Sequence, residues 1–257
     1  MKSRPIVFLH IPKCAGQSVR ILLSEAFPKR RLFPGQNDQH LSLYSRSSLQ
    51  QFDIFSGHFS WSLLDFLSPD AFVFTVLRDP VDRVISFYQF LRNTAQNLSP
   101  TDLNSHVNRA LRAAKELPFD EFLSAPEPEV RGFIDSQFDN FYTYYFSTRM
   151  ISGRYLIRNE YPDSNYFISE NLIQNALTNI RERVRVYHMN DLDALRQDLS
   201  VESDFVLNEL PKANMGTAAK VVDRKKFIDE VSNNSLRTED TLHLYCQFDA
   251  KIMNSIF

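Results

Sequence analysis

The chain has 257 residues and a formal net charge of −2. That length fits one α/β unit with embellishments, and the charge gives no global pull toward nucleic acid or a membrane surface. Hydrophobic residues make up 43% and glycine numbers only six against 22 phenylalanines, which provides a full core and excludes disordered or low-complexity architectures.

In chain order, Pro5 to Ile11 is an apolar run broken by His10. It is too short for the apolar region of a signal peptide and reads as a buried first strand. A short loop, Pro12 to Gly16, follows, and then Val19, Leu22, Leu23, Ala26 and Phe27 recur at helical spacing up to Pro28. Strand, loop and helix in that order open a P-loop type α/β domain. Asp53 to Ser56 is a short strand leading into Gly57 and His58. Ala71 to Leu77 is nearly all apolar, the mark of a central parallel strand covered on both faces. Asp79 and Pro80 then predict a capped helix whose inward stripe is Val81, Val84, Ile85 and Tyr88.

Residues 93–150 predict several helices broken by Pro100, Pro118, Pro126 and Pro128. Val184 to His188 is a later strand, Asp191 to Leu199 a helix, and Thr238 to Ile256 a closing helix with Tyr245, Phe248, Ile252 and Ile256 on one face. With no repeat and no linker, the expectation is a single α/β domain, a parallel sheet flanked by helices, with 93–150 as a helical insertion on the acceptor side. No apolar run of about 18 residues occurs, so no membrane span is expected. Two cysteines, Cys14 and Cys246, give no disulfide framework and fit a reducing compartment. The expected setting is therefore cytoplasmic.

Two segments carry anion chemistry. In His10-Ile-Pro-Lys13-Cys14-Ala15-Gly16-Gln17-Ser18, a tight loop ends at a helix N-terminus, where backbone N–H groups and the helix dipole favour an anion. Lys13 adds a formal charge and Ser18 a hydroxyl. A Walker A motif would place lysine directly after its second glycine; here Lys13 stands three residues before Gly16. In Val76-Leu77-Arg78-Asp79-Pro80, Arg78 ends the central strand, and Ser86 follows about two helical turns on. A guanidinium and a hydroxyl converging there suit a phosphate monoester. The plainer alternative pairs Arg78 with Asp79 or Asp82.

These two segments together resemble the 5′-phosphosulfate loop and the 3′-phosphate site of sulfotransferases that use 3′-phosphoadenosine 5′-phosphosulfate (PAPS). "HIPKCAGQS" and "LRDPVDRVISFY" are most similar to the carbohydrate branch, the heparan sulfate and dermatan/chondroitin 2-O-sulfotransferases and their bacterial relatives. The match runs from about residue 6 to 92, with fainter echoes at 205–217 and 238–256. The resemblance implies that Lys13 and the backbone of Cys14, Ala15, Gly16, Gln17 and Ser18 hold the 5′-phosphosulfate, and that Arg78 and Ser86 hold the 3′-phosphate, on a P-loop kinase-like sheet. Ser56-Gly57-His58-Phe59-Ser60-Trp61 resembles the stretch bearing the proposed general base of that branch, which points to His58 as catalytic base beside Lys13. A structural histidine at a turn is the alternative; His10, His40, His106 and His188 are competing bases. Leu210 to Thr217 is similar to a late nucleotide-covering segment and adds Lys212 and Asn214, although Gly216 stands where a hydroxyl residue is expected.

The activity so implied is in-line sulfuryl transfer from PAPS to a carbohydrate hydroxyl, without a metal because the sulfuryl group carries less charge than a phosphoryl group. Rival readings are a P-loop kinase of small molecules and a nucleotide-binding module without activity. The aromatic run Phe141 to Phe146 reads as core packing, with stacking on sugar rings as the alternative.

Overall fold

The computed structural model describes residues 4–160, 170–202 and 223–257. Among the described residues four strands form one sheet: β1 (Ile6–Leu9), β2 (Ile54–Gly57), β3 (Phe72–Leu77) and β4 (Arg185–His188). All pairings are parallel and the order is β2-β1-β3-β4. Helices of eight or more residues are α1 (Gly16–Ala26), α2 (Pro80–Gln96), α3 (Arg109–Glu116), α4 (Pro128–Gln137), α5 (Phe141–Thr148), α6 (Gly153–Glu160), α7 (Glu170–Arg183), α8 (Asp193–Glu202), α9 (Arg224–Val231) and α10 (Ser235–Ile256).

β1, β2 and β3 are buried on both faces, as parallel strands covered by helices require, and the edge strand β4 only in part. Alternation along β1 sends Ile6 and Phe8 to one side, where they pack with Ile54, Phe72 and Phe74 under α1 and α8. Val7 and Leu9 point to the other side and join Phe55, Val73 and Leu77 beneath α5, α7 and α10. A third apolar cluster lies off the sheet, where Val84, Tyr88 and Leu91 of α2 meet Ala114, Phe119, Ile134 and Cys246. The aromatic run of α5 belongs to the core, with Phe141 to Phe146 between 0% and 8% exposed, so stacking on sugar rings is not its role.

The strands fall where the apolar runs predict, shifted by a residue or two: β2 extends through Gly57, β3 begins at Phe72 and β4 at Arg185. α8 starts at Asp193 rather than Asp191, and α10 starts at Ser235, three residues before Thr238, because the Asn234 side chain accepts from the Arg237 N–H and caps it there. Asp79 caps α2 as expected, accepting from the Asp82 N–H at 3.1 Å, with Pro80 in the first turn.

Parallel strands place all their carboxyl ends on one edge. The loop after β1, His58 after β2, and Arg78 after β3 therefore converge there. β1 is followed in the chain by β2 on one side and then β3 on the other, so the edge beside β1 is a topological switch point, where α/β sheets open a crevice.

Candidate active site

The loop from His10 to Ala15 has to turn a strand into a helix within six residues. It does so by putting Lys13 at φ 70° and Ala15 at φ 57°. Left-handed backbone at non-glycine residues costs energy and is retained where surrounding structure fixes it; alternation of this kind also turns successive N–H groups toward a common centre. Ala15 caps α1 without any side-chain hydrogen bond. Gly16 cannot be larger, because a Cβ there would stand 1.8 Å from Nε2 of His10. The His10 ring thus lies against the start of α1.

Two cations meet above this loop. Lys13 is half-buried, its Nζ 4.3 Å from the centre of the Phe90 ring. Burial and then the positive charge of Arg78 lower the Lys13 pKa. Arg78 is also half-buried, and its Nε is buried without a hydrogen-bond partner among the described residues. The carboxylates next to it in sequence do not neutralise it. Asp79 and Asp82 are each bound by Arg224 at 2.7 Å, which overturns the alternative of an Arg78 paired with either. An edge with two neighbouring cations and an unpaired guanidinium nitrogen is matched to an anion.

His58 sits beside this edge. Its position is set by a backbone approach: a Cβ on Gly57 would meet the Gln36 carbonyl oxygen at 2.6 Å, and the His58 N–H donates to that same oxygen at 2.7 Å. Nδ1 lies 2.7 Å from the His10 carbonyl oxygen. A carbonyl only accepts, so Nδ1 carries the proton and Nε2 holds the lone pair. Burial lowers the His58 pKa, opposed by that hydrogen bond. The result is a neutral ring with an acceptor nitrogen, the state a general base needs.

His10 stacks on His58 with ring centres 4.3 Å apart. Burial first, then repulsion from any charge that His58 would take up and from Lys13 and Arg20, pushes His10 down to about 3, which makes it a poor proton acceptor. The other histidines are placed elsewhere or occupied. His40 Nδ1 accepts from the Gln36 N–H at 3.3 Å, His188 Nδ1 from the Asn190 N–H at 3.2 Å, and His106 lies on the surface near Glu129.

The structure brings Lys13, Cys14, Ala15, Gly16, Gln17, Ser18, His58 and Arg78 to one edge. Ser86 lies inside α2, 4% exposed, and no hydrogen bond joins it to Arg78 among the described residues. Lys212 and Asn214 lie outside the described residues. Tyr142 and Arg83 belong to the neighbourhood but were not singled out by the sequence. Tyr142 reaches Cys14 and the backbone of Arg78 from below. Arg83, 1% exposed, bonds the Gln137 carbonyl at 2.6 Å and lies over the Phe141 and Tyr142 rings. An arginine one helical turn after Asp79 was the available signal for Arg83; Tyr142 was visible only as one member of the aromatic run. A cavity of about 440 Å³ lined by Arg4, Phe52, Asp53 and Asp70 opens near the strand starts, at the opposite edge.

No described helix is long and apolar enough to cross a membrane. The model of the sulfotransferase family matches residues 2–198. No curated protein matches the chain.

Proposed function

The chain belongs to the sulfotransferase family, and we propose that it moves a sulfuryl group from PAPS to a hydroxyl of a carbohydrate-like acceptor, with His58 as the base. The observation that carries this reading is the pairing at one sheet edge of two neighbouring cations, Lys13 and an Arg78 whose Nε has no hydrogen-bond partner among the described residues, with a neutral His58. The first suits a doubly phosphorylated donor, the second an acceptor that must lose a proton. The carbohydrate class rests on the resemblance of the His58 segment, and a cytoplasmic setting is supported by two free, buried cysteines.

In the transfer, the acceptor oxygen forms a bond to sulfur while the bond from sulfur to the 5′-phosphate oxygen breaks. His58 Nε2 takes the acceptor proton, and the Nδ1 bond to the His10 carbonyl strengthens as the ring gains charge. Lys13, together with the N–H groups of the turn, stabilises negative charge collecting on the departing oxygen. Arg78 and Ser86 hold the 3′-phosphate and thereby fix the line of attack. The leaving product is adenosine 3′,5′-bisphosphate.

Calorimetric titration of adenosine 3′,5′-bisphosphate beside 5′-AMP, without metal, tests the reading. Micromolar binding of the first and much weaker binding of the second is expected. Equal affinities remove the 3′-phosphate site, and the PAPS assignment with it.

A further inference from the structure

The two loops of the donor site lie far apart in sequence, and the sheet does not tie them together at their tips. The β1–β3 pairing ends at Phe8 and Phe74. One residue further on, the buried Thr75 hydroxyl donates to the Leu9 carbonyl at 2.7 Å. Beyond that point β1 has become the His10–Ala15 turn and β3 has become Arg78, and no ladder bond remains between them.

The Tyr142 side chain takes over there. Tyr142 is fully buried on α5. Its hydroxyl donates to the Arg78 carbonyl at 2.8 Å. With its single proton so used, the oxygen is left to accept. It has Cys14 Sγ at 3.4 Å and the Arg78 N–H at 3.4 Å. Burial pushes both the Cys14 thiol and the Tyr142 hydroxyl upward, so Cys14 retains the S–H that this arrangement requires. Cys14 sits between the two left-handed residues Lys13 and Ala15. One oxygen thus touches the middle of the first loop and both backbone groups of the residue that opens the second.

Tyr142 is itself anchored from outside the site. The cap residue of α5, Asn140, offers no side-chain hydrogen bond to the first turn. Asp249 of α10 substitutes for it, accepting from the N–H groups of Tyr142 at 3.0 Å and Thr143 at 2.8 Å and from the Thr143 hydroxyl at 2.9 Å. Two helices packed on the sheet, α5 and α10, therefore hold one hydroxyl in place.

We propose that Tyr142 is a positioning residue that locks the Lys13 loop to the Arg78 junction at the spacing a donor with phosphates at both ends requires. Lys13 and Arg78 are like charges that repel, so their spacing must be enforced by the backbone beneath them. The inference rests on the donor reading above. Its consequence is selective: a ligand that spans both loops gains from the lock, and a ligand that meets only the first loop does not.

The test is Tyr142→Phe, which keeps the ring and removes the hydroxyl. Affinities for adenosine 3′,5′-bisphosphate and for 5′-AMP are measured by calorimetry, with thermal unfolding alongside. Affinity for the bisphosphate is expected to fall about three- to tenfold, the size of one lost hydrogen bond, while that for 5′-AMP holds, so the ratio between them shrinks. An unchanged ratio, whatever happens to the melting temperature, makes Tyr142 a core residue only and overturns the lock. Should the variant not fold, Cys14→Ala removes the thiol contact and leaves Tyr142 in place; a smaller drop in the same ratio supports the lock, and no drop overturns it. A wild-type protein with no preference for the bisphosphate is a different failure, that of the donor reading, and takes the lock down with it.

Discussion

The turn after β1 and the junction after β3 present positive charge at the same sheet edge by different means. The first relies on backbone: two residues in left-handed conformation, a helix start with no side-chain cap, and a lysine resting on an aromatic face. The second relies on a side chain, a guanidinium kept available because Arg224 occupies the acids beside it. Backbone donors read the shape of an anion and are hard to retune by substitution. A guanidinium whose neighbours are held by another residue is adjustable from a distance. The difference teaches that the acids flanking Arg78 are held by a helix more than 140 positions later in the chain.

That contrast can be broken in order of expected effect. His58 belongs to neither half, so His58→Ala should lower turnover by about 10²–10⁴-fold and leave bisphosphate affinity intact; a parallel loss of affinity would move His58 into the donor site. The pH profile sharpens the point. As the proposed base, His58 would work as the neutral ring, and burial lowers its pKa from 6.5. Activity should therefore hold as pH falls to 6.5 and decline only below it, as measured from kcat/KM over pH. An acid limb lying above 6.5 would assign the base elsewhere.

Lys13→Ala comes next, with an expected loss of about 10²–10³-fold in kcat seen in steady-state turnover, since the turn's N–H groups survive the substitution. Retained turnover would show that the backbone half acts without its lysine. Smallest is Arg224→Ala. Both ion pairs are partly exposed, so their value is modest, and freeing Asp79 and Asp82 to compete for Arg78 should weaken bisphosphate binding by up to about fivefold. Unchanged affinity in calorimetry would mean that Arg78 does not depend on Arg224.

Much of the site was legible because it is local. A strand, a short loop and a helix within twenty residues can be read from apolar spacing, and Asp79-Pro80 announces its own helix cap. His58 was readable as a residue at a strand end. Its protonation was not, because the bond that fixes the proton comes from the His10 carbonyl, across the β1–β2 pairing. The alternative of an Arg78 held by Asp79 or Asp82 was reasonable from sequence proximity and fell because Arg224, on a distant helix, reaches both. The aromatic run of α5 showed its apolar burden in composition, but only packing separated Tyr142, whose hydroxyl is used, from its neighbours.

By itself the sequence determined the parallel α/β fold, the turn after the first strand and the cationic residues at the strand ends, since strands, helix starts and turns are set by patterns a few residues long. The tertiary structure decided which charges stay unpaired, which histidine keeps a usable lone pair and which hydroxyl joins the two loops. These depend on contacts between segments that meet only when the sheet is assembled, and no short-range pattern encodes them.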